Sequence, residues 1–522
     1  MLKVPIDTCQ CRRSIDGRIA SSFTSPPPPS PLPLGDLVSA KRSLLVLGLG
    51  SLLLCTSLLA QSKKNATVLS VQRPESRFSD VWGYVDKATG REAAILGASS
   101  GIYIYETTNP STPVRLAYFA ASATGWRSCT WTDMKEWKGY VYAVTECGAG
   151  LKILDLRNLS APRYVKLWGS SYWRSSHNVG IDRDNGILCV HGTGSSSGDT
   201  LRFIDVNTDP ENPRLLASWT TTYVHDMSWQ DNLLHTANIY AGQYRLYDTS
   251  QSMSSPRLLG SVRTPKTFTH STWPSYDNKI CVTTDEVSGG PMGVYDISAR
   301  GNPIYRSQFF TGSTRSLIHN AYLDNDKNCY LAHMSFYGEG YRCVDVSNPR
   351  SPVEVGYVDT NSLWGAYCFQ PSGVSYGSDM SQGLYIIKFK ASATHYGTGT
   401  RGTGGRVPRI HTIGSAYVGN PNFQLGVRDA RASSPAVMLL GSGRANINVG
   451  NSGLWLHVSL VPSPLVVASA TNGSGATLVP FGIPNNAQLN GLMLNAQWFV
   501  FDPNGKLGLA SSRGLEFEVF NK

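Results

Sequence analysis

Leu151-Lys-Ile-Leu-Asp155 is a short alternating apolar stretch that ends in an acid, and it recurs along the chain. Further copies are Ile102-Tyr-Ile-Tyr-Glu106, Leu201-Arg-Phe-Ile-Asp205, Tyr244-Arg-Leu-Tyr-Asp248, Met292-Gly-Val-Tyr-Asp296 and Tyr341-Arg-Cys-Val-Asp345. Leu384-Tyr-Ile-Ile-Lys388 repeats the pattern without the acid. A Pro follows at a similar offset (Pro113, Pro162, Pro213, Pro256, Pro303, Pro352), and a further strand-like run comes after it. Self-similarity with a period of about 47 residues, each unit holding some four strands, is the sequence signature of propeller blades. Seven units therefore predict an all-β chain whose residues 65–390 form a seven-bladed β-propeller. The seventh unit runs out after its third strand, while Ala66-Thr-Val-Leu-Ser-Val71 stands alone ahead of the first. Donating that strand to the last blade would close the ring and remove two exposed edges.

Each unit opens on a second marker: Trp82-Gly83, Arg127-Ser128, His177-Asn178, His225-Asp226, His270-Ser271, His319-Asn320 and Trp364-Gly365. The Trp82-Gly-Tyr-Val-Asp86 opening, the Leu-x-Ile-x-Asp strands and the His-Asn or His-Asp starts resemble the LVIVD-repeat, "choice-of-anchor B" family of exported bacterial proteins. That resemblance spans about residues 65–390. It implies a propeller at or beyond the cell surface, joined to a variable C-terminal anchoring module, and implies no established reaction.

Composition supports this reading and narrows the function. The 522 residues are 41% hydrophobic and only 16% charged, with 51 Gly and 25 Tyr, which suits short strands joined by many turns. The net charge of +10 is spread singly, with no basic run, so nucleic acid is not expected as a partner. Lys41-Arg42, the apolar stretch Leu44 to Ala60 and the polar Gln61-Ser62-Lys63-Lys64 form a secretory signal pattern. Residues 1–61 are thus a leader, with 1–40 read as an upstream mis-called start. No stable membrane span is expected in the mature chain, which is placed outside the cell or on its surface. Seven cysteines follow the leader, all in the propeller region: Cys129, Cys147, Cys189, Cys281, Cys329, Cys343 and Cys368. An odd number leaves at least one thiol unpaired, so buried thiols with one bridge are expected.

Residues 391–407, rich in Gly and Thr, read as a flexible linker. Alternation returns at Phe423–Val427, Leu454–Leu460, Gln497–Phe501 and Leu515–Val519. Residues 408–522 are therefore expected to form a small β-sandwich that folds apart from the propeller. The segment resembles C-terminal β-sandwich modules of other exported bacterial proteins, through Ile483-Pro-Asn-Asn486 and Leu507-Gly-Leu-Ala510.

Two residue sets could carry chemistry. Opening strands of a propeller line its channel, so His177, His225, His270 and His319, with Arg127 at the same marker position, are candidate ligand-binding residues. Glu146, His191, His235, Asp285, Glu286, His333 and Asp379 fall near the ends of second strands. Carboxylates with imidazoles at one level suit a divalent metal ion, the one cofactor this chain suggests. The competing explanations are repeat-encoded histidines that bond the next blade, and acids that lie in solvated turns. His-Glu-x-x-His and phosphate-loop signatures do not occur. Two functions remain: a non-catalytic binding, adhesion or scaffold protein meeting an extracellular protein or glycan, and a metal-dependent hydrolase or lyase using the channel set.

Overall fold

The structure, a computed structural model, describes residues 61–522 apart from Ser196 and Arg315; the expected leader lies outside the described residues. The acid that ends each repeat strand has a local task. Asp155 accepts the backbone N–H of Arg157, Asp205 those of Asn207 and Thr208, and Asp248, Asp296 and Asp345 those of Ser250, Ser298 and Ser347. A carboxylate bonding its own backbone two residues on starts a turn, so the acid ends the third strand of its blade. In several blades it also takes a cross-strand cation from the fourth strand, as in Asp155–Arg163, Asp248–Arg257 and Asp296–Arg306. Each such pair ties the outer strand to the blade.

These units form seven four-stranded antiparallel sets, as the repeat predicts. In the first, Phe78–Val85, Glu92–Ala98, Gly101–Glu106 and Val114–Ala120 pair in chain order. The opening strands of the others are Thr132–Trp137, Asn178–Asp182, Asp226–Gln230, Thr269–Pro274, Ile318–Leu323 and Leu363–Tyr367. Each opening strand packs on those of the blades before and after it, and the seventh returns to the first. The opening strands thus ring a central axis, while final strands such as Val114–Ala120 face solvent.

Closure follows the expected route. Ala66–Gln72 pairs antiparallel with Gly383–Phe389, running from Ala66 opposite Phe389 to Gln72 opposite Leu384. It supplies the missing outer strand of the seventh blade. Lys63–Lys64 add a short fifth strand to the sixth blade, opposite Val358 and Tyr357.

Among the described residues one disulfide joins Cys129 to Cys147, and Cys189, Cys281, Cys329, Cys343 and Cys368 are buried thiols. Lys152, fully buried in the second blade, has no hydrogen-bond partner for Nζ, which lies 4.1 Å from the centre of the Trp126 ring. Burial pushes its ammonium down to about 7, a penalty that the aromatic face partly offsets. Between that value and the ordinary 10.5 the unfolded chain holds a proton that the folded chain lacks, so stability rises with pH through this window. Lys152→Met should therefore melt above the parent at pH 7, with the gap closing towards pH 10. A gap independent of pH in a melting series would refute this account.

The stretch 391–407 is not a free linker. Ala391, Ser392 and Ala393 are buried, and Thr394–Tyr396 pairs with Gly514–Glu516 in a C-terminal sheet. That sheet and a second one, built on Arg409–Ile413, Gln424–Arg428 and Thr477–Pro480, share an apolar core that includes Ile410, Leu425, Met438, Trp498 and Phe517. The second sheet takes its edge strand from the propeller. Asn328–Cys329, between the first two long strands of the sixth blade, pairs in parallel with Thr412 and Ile413. Arg428 donates to the Asn325 carbonyl at 2.6 Å, and Lys390 meets Glu518 at 2.7 Å. The tail is built onto the propeller.

Candidate functional site at the channel mouth

Four blades place a histidine at the start of the opening strand, and the ring of axial strands brings these side chains together. Successive imidazole centres are 4.2 Å apart from His177 to His225, 4.3 Å from His225 to His270, and 4.3 Å from His270 to His319. The arc continues to Trp364 at 3.8 Å and from there to Trp131 at 4.2 Å. Trp131, not Arg127, thus holds the second blade's place at the axis. Arg127 is exposed in the loop before it, its backbone N–H pointing at the Cys147 carbonyl.

Two carboxylates from the second set join the histidines. Glu146 takes the Nδ1 hydrogen of His177 at 2.6 Å. Glu286 lies 3.5 Å from His270 Nε2 and accepts from the Tyr337 hydroxyl at 2.6 Å. The disulfide supports this corner, since Cys147 follows Glu146 and Cys129 sits two residues before Trp131.

The other five members of that set are not brought to the site. His191 is buried within the third blade. His235 bonds Tyr244 at 2.8 Å, and His333 contacts Tyr341 at 3.2 Å and Cys343 at 3.3 Å, all inside their own blades. Asp285 accepts the backbone N–H groups of Lys266 and Phe268, and Asp379 those of Ser362, Ser381 and Gln382. Both acids hold turns.

Protonation follows from packing. Hydrogen bonding to a carbonyl fixes the hydrogen of His319 on Nδ1, which donates to Trp364 at 2.8 Å and leaves Nε2 with a bare lone pair. Burial, then neighbouring imidazoles, hold His225 and His270 well below the ordinary 6.5, and burial takes His319 to about 3. His177 moves upward: burial opposes the charge, but the bond and charge of Glu146 overcome it. Burial raises Glu286 to about 7. The site joins three imidazoles held in the neutral form to a fourth, His177, that Glu146 biases towards the charged form.

Against the histidines lies a buried ionic group that the sequence reading did not single out. Lys135 Nζ is 2.8 and 2.9 Å from the two oxygens of Asp133 and 4.6 Å from the centre of the Trp82 ring. Asp133 also accepts the Val179 N–H at 2.9 Å, joining the second blade to the third. Burial, then the charge of Asp133, pushes Asp80 well above the ordinary aspartate value, and burial lifts Asp226 to about 7. Asp80, Asp133, His177, His270, His319 and Trp364 are among the residues around one cavity of about 20 Å³. The signal for the pair was available: Asp133 and Lys135 are two apart on one strand, and so share a face.

Fold and site define a β-propeller with an imidazole-lined channel mouth. The LVIVD repeat family matches residues 336–360, the third and fourth strands of the sixth blade. Among solved structures, the chain is similar to the β-propeller domain of Myceliophteria thermophila Cps50 (Swd1). The identity is 8% and the TM-score 0.45, over 62% of this chain and 98% of that one. No curated protein matches. Among the described residues, no helix is long and apolar enough to cross a membrane.

Proposed function

We propose that this is an exported, non-catalytic binding protein whose propeller recognises an extracellular protein or glycan and whose C-terminal module sets its attachment. The observation that carries the reading is the size of the polar chamber. About 20 Å³ admits a water or an ion, whereas pockets that enclose organic ligands run to roughly 300 Å³ or more. The chamber is thus sized for a water or an ion, which supports recognition on the outer faces of the blades and at the channel rim. The signal pattern and the resemblance to exported propellers support export. The second reading, a metal-dependent hydrolase or lyase, is favoured by Glu286, whose value near 7 suits a general base.

The test is to screen purified protein against one panel of glycans, esters and peptides for both binding and turnover, with and without added Zn²⁺. Saturable binding of a panel member without turnover is expected. Turnover above the protein-free control would establish the second reading, and a panel that neither binds nor reacts would overturn recognition.

A further inference from the structure

We propose that His177, His225 and His270 hold one divalent first-row transition-metal ion at the channel mouth, with His319 and Glu286 adjoining it across His270. The ligand atoms of His177, His225 and His270 all lie within 4.8 Å of one another, and so do those of His270, Glu286 and His319. Bonds of about 2.0–2.1 Å to zinc require these atoms to draw inward by roughly an ångström, a side-chain adjustment. The two sets share His270, which places the ion on its side of the axis.

A second observation points to a ligand. His270 is 2% exposed and His319 3%. Neither ring nitrogen of His270 has a hydrogen-bond partner, nor does His319 Nε2 or His225 Nδ1. Buried polar atoms left unpaired cost about 1–3 kcal/mol each and are rare in folded proteins. A cation takes one lone pair from each neutral ring, whose other nitrogen carries the hydrogen, and so accounts for one of the two unpaired nitrogens of His270 together with that of a neighbouring ring.

The surrounding groups fit the same assignment. Glu146 accepts the Nδ1 hydrogen of His177, which leaves the lone pair of that ring on Nε2 and raises its basicity. Carboxylate–histidine pairs of this kind support metal ligands. The Trp364 carbonyl does the same for His319. Imidazoles with a single carboxylate select zinc, copper, nickel or iron, whereas calcium and magnesium need oxygen-rich sets. The chamber, which His177 and His270 line, accepts an ion of that size.

The inference is independent of the binding reading, because an ion can close the channel whether or not the protein turns anything over. Untagged full-length protein, stripped with chelator, would be titrated with Zn²⁺ and with Co²⁺. Uptake close to one equivalent is expected, with a Co²⁺ visible spectrum of nitrogen ligation and a melting temperature that climbs with free metal. Glu146→Gln should weaken Zn²⁺ binding by about 10–100-fold, and His270→Ala should abolish it. Uptake below roughly 0.2 equivalents on unmodified protein would overturn the proposal without recourse to any variant. So would unchanged affinity in folded His270→Ala. Metal uptake without turnover upholds both readings, while uptake with turnover retains the site and removes only the non-catalytic conclusion.

Discussion

Deleting residues 62–72 is expected to lower the apparent melting temperature by on the order of 10 °C, at ~2–4 °C for each kcal/mol lost. The segment supplies a full antiparallel ladder to Gly383–Phe389, and each net backbone hydrogen bond contributes about 1 kcal/mol. Val68 and Leu69 also pack on the large core that spans the sixth, seventh, first and second blades. Half-burying two such side chains adds roughly 2 kcal/mol, against which the entropy of ordering the strand must be set. The deletion exposes the edge of the seventh blade. It also removes Asn65, which donates to the carbonyls of Val355 in the sixth blade and Asn521 in the tail. The tail is therefore expected to soften together with the propeller, where the sequence alone suggested that residues 408–522 would stay folded. A variant that melts at the parental temperature would mean that the ring does not depend on this strand.

Lys135→Met should destabilise the protein by about 3–5 kcal/mol, the usual cost of leaving a buried charge without its partner. Both side chains of the Lys135–Asp133 pair are less than a tenth exposed. Asp133 lies lower than an ordinary aspartate: burial opposes its charge, but Lys135 and the neighbouring Asp80 overcome that. Without the lysine, the carboxylate that bonds Val179 across the blade boundary loses its counter-charge. The double variant Asp133→Asn/Lys135→Met retains an acceptor for the Val179 N–H and carries neither charge, so it should recover most of the loss. Chemical denaturation of the three proteins measures this coupling. A single variant within 1 kcal/mol of the parent, or a double variant no better than the single, would show that the pair does not hold these blades together.

The repeat was legible because blade geometry demands it at every turn: the strand acid, the later Pro and the opening histidine each recur where a turn or the axis requires them. Register was harder. The opening strand of the first blade, Phe78–Val85, carries an irregularity between Phe78 and Val81, so Asp80 faces the chamber although Trp82-Gly83 is the marker in the sequence. In the second blade the disulfide loop moves the axial position to Trp131. The acids at the ends of second strands turn on a single residue. Glu146 and Glu286 stand one position beyond Tyr140–Thr145 and Ile280–Asp285 and reach the histidines. Asp285 and Asp379 are the last residues of their strands and face turns instead. A shift of one residue reverses the face of a strand, and spacing in the sequence does not resolve it. Composition misled in the tail, where glycine serves close packing and not freedom. A side chain at Gly397 would collide with the His457 ring, and one at Gly402 with the Asp502 carboxylate.

The edge strand that the sixth blade lends to the C-terminal sheet has a mechanical consequence. Tension applied to the tail passes into two blades of the ring, through Asn328 and Cys329 into the sixth and along the chain from Phe389 into the seventh, with no slack length of chain to absorb it. The tail therefore acts as a bracket and not as a tether. A surface held by that module would meet the propeller at one fixed angle, and the faces turned outward would be the same on every molecule.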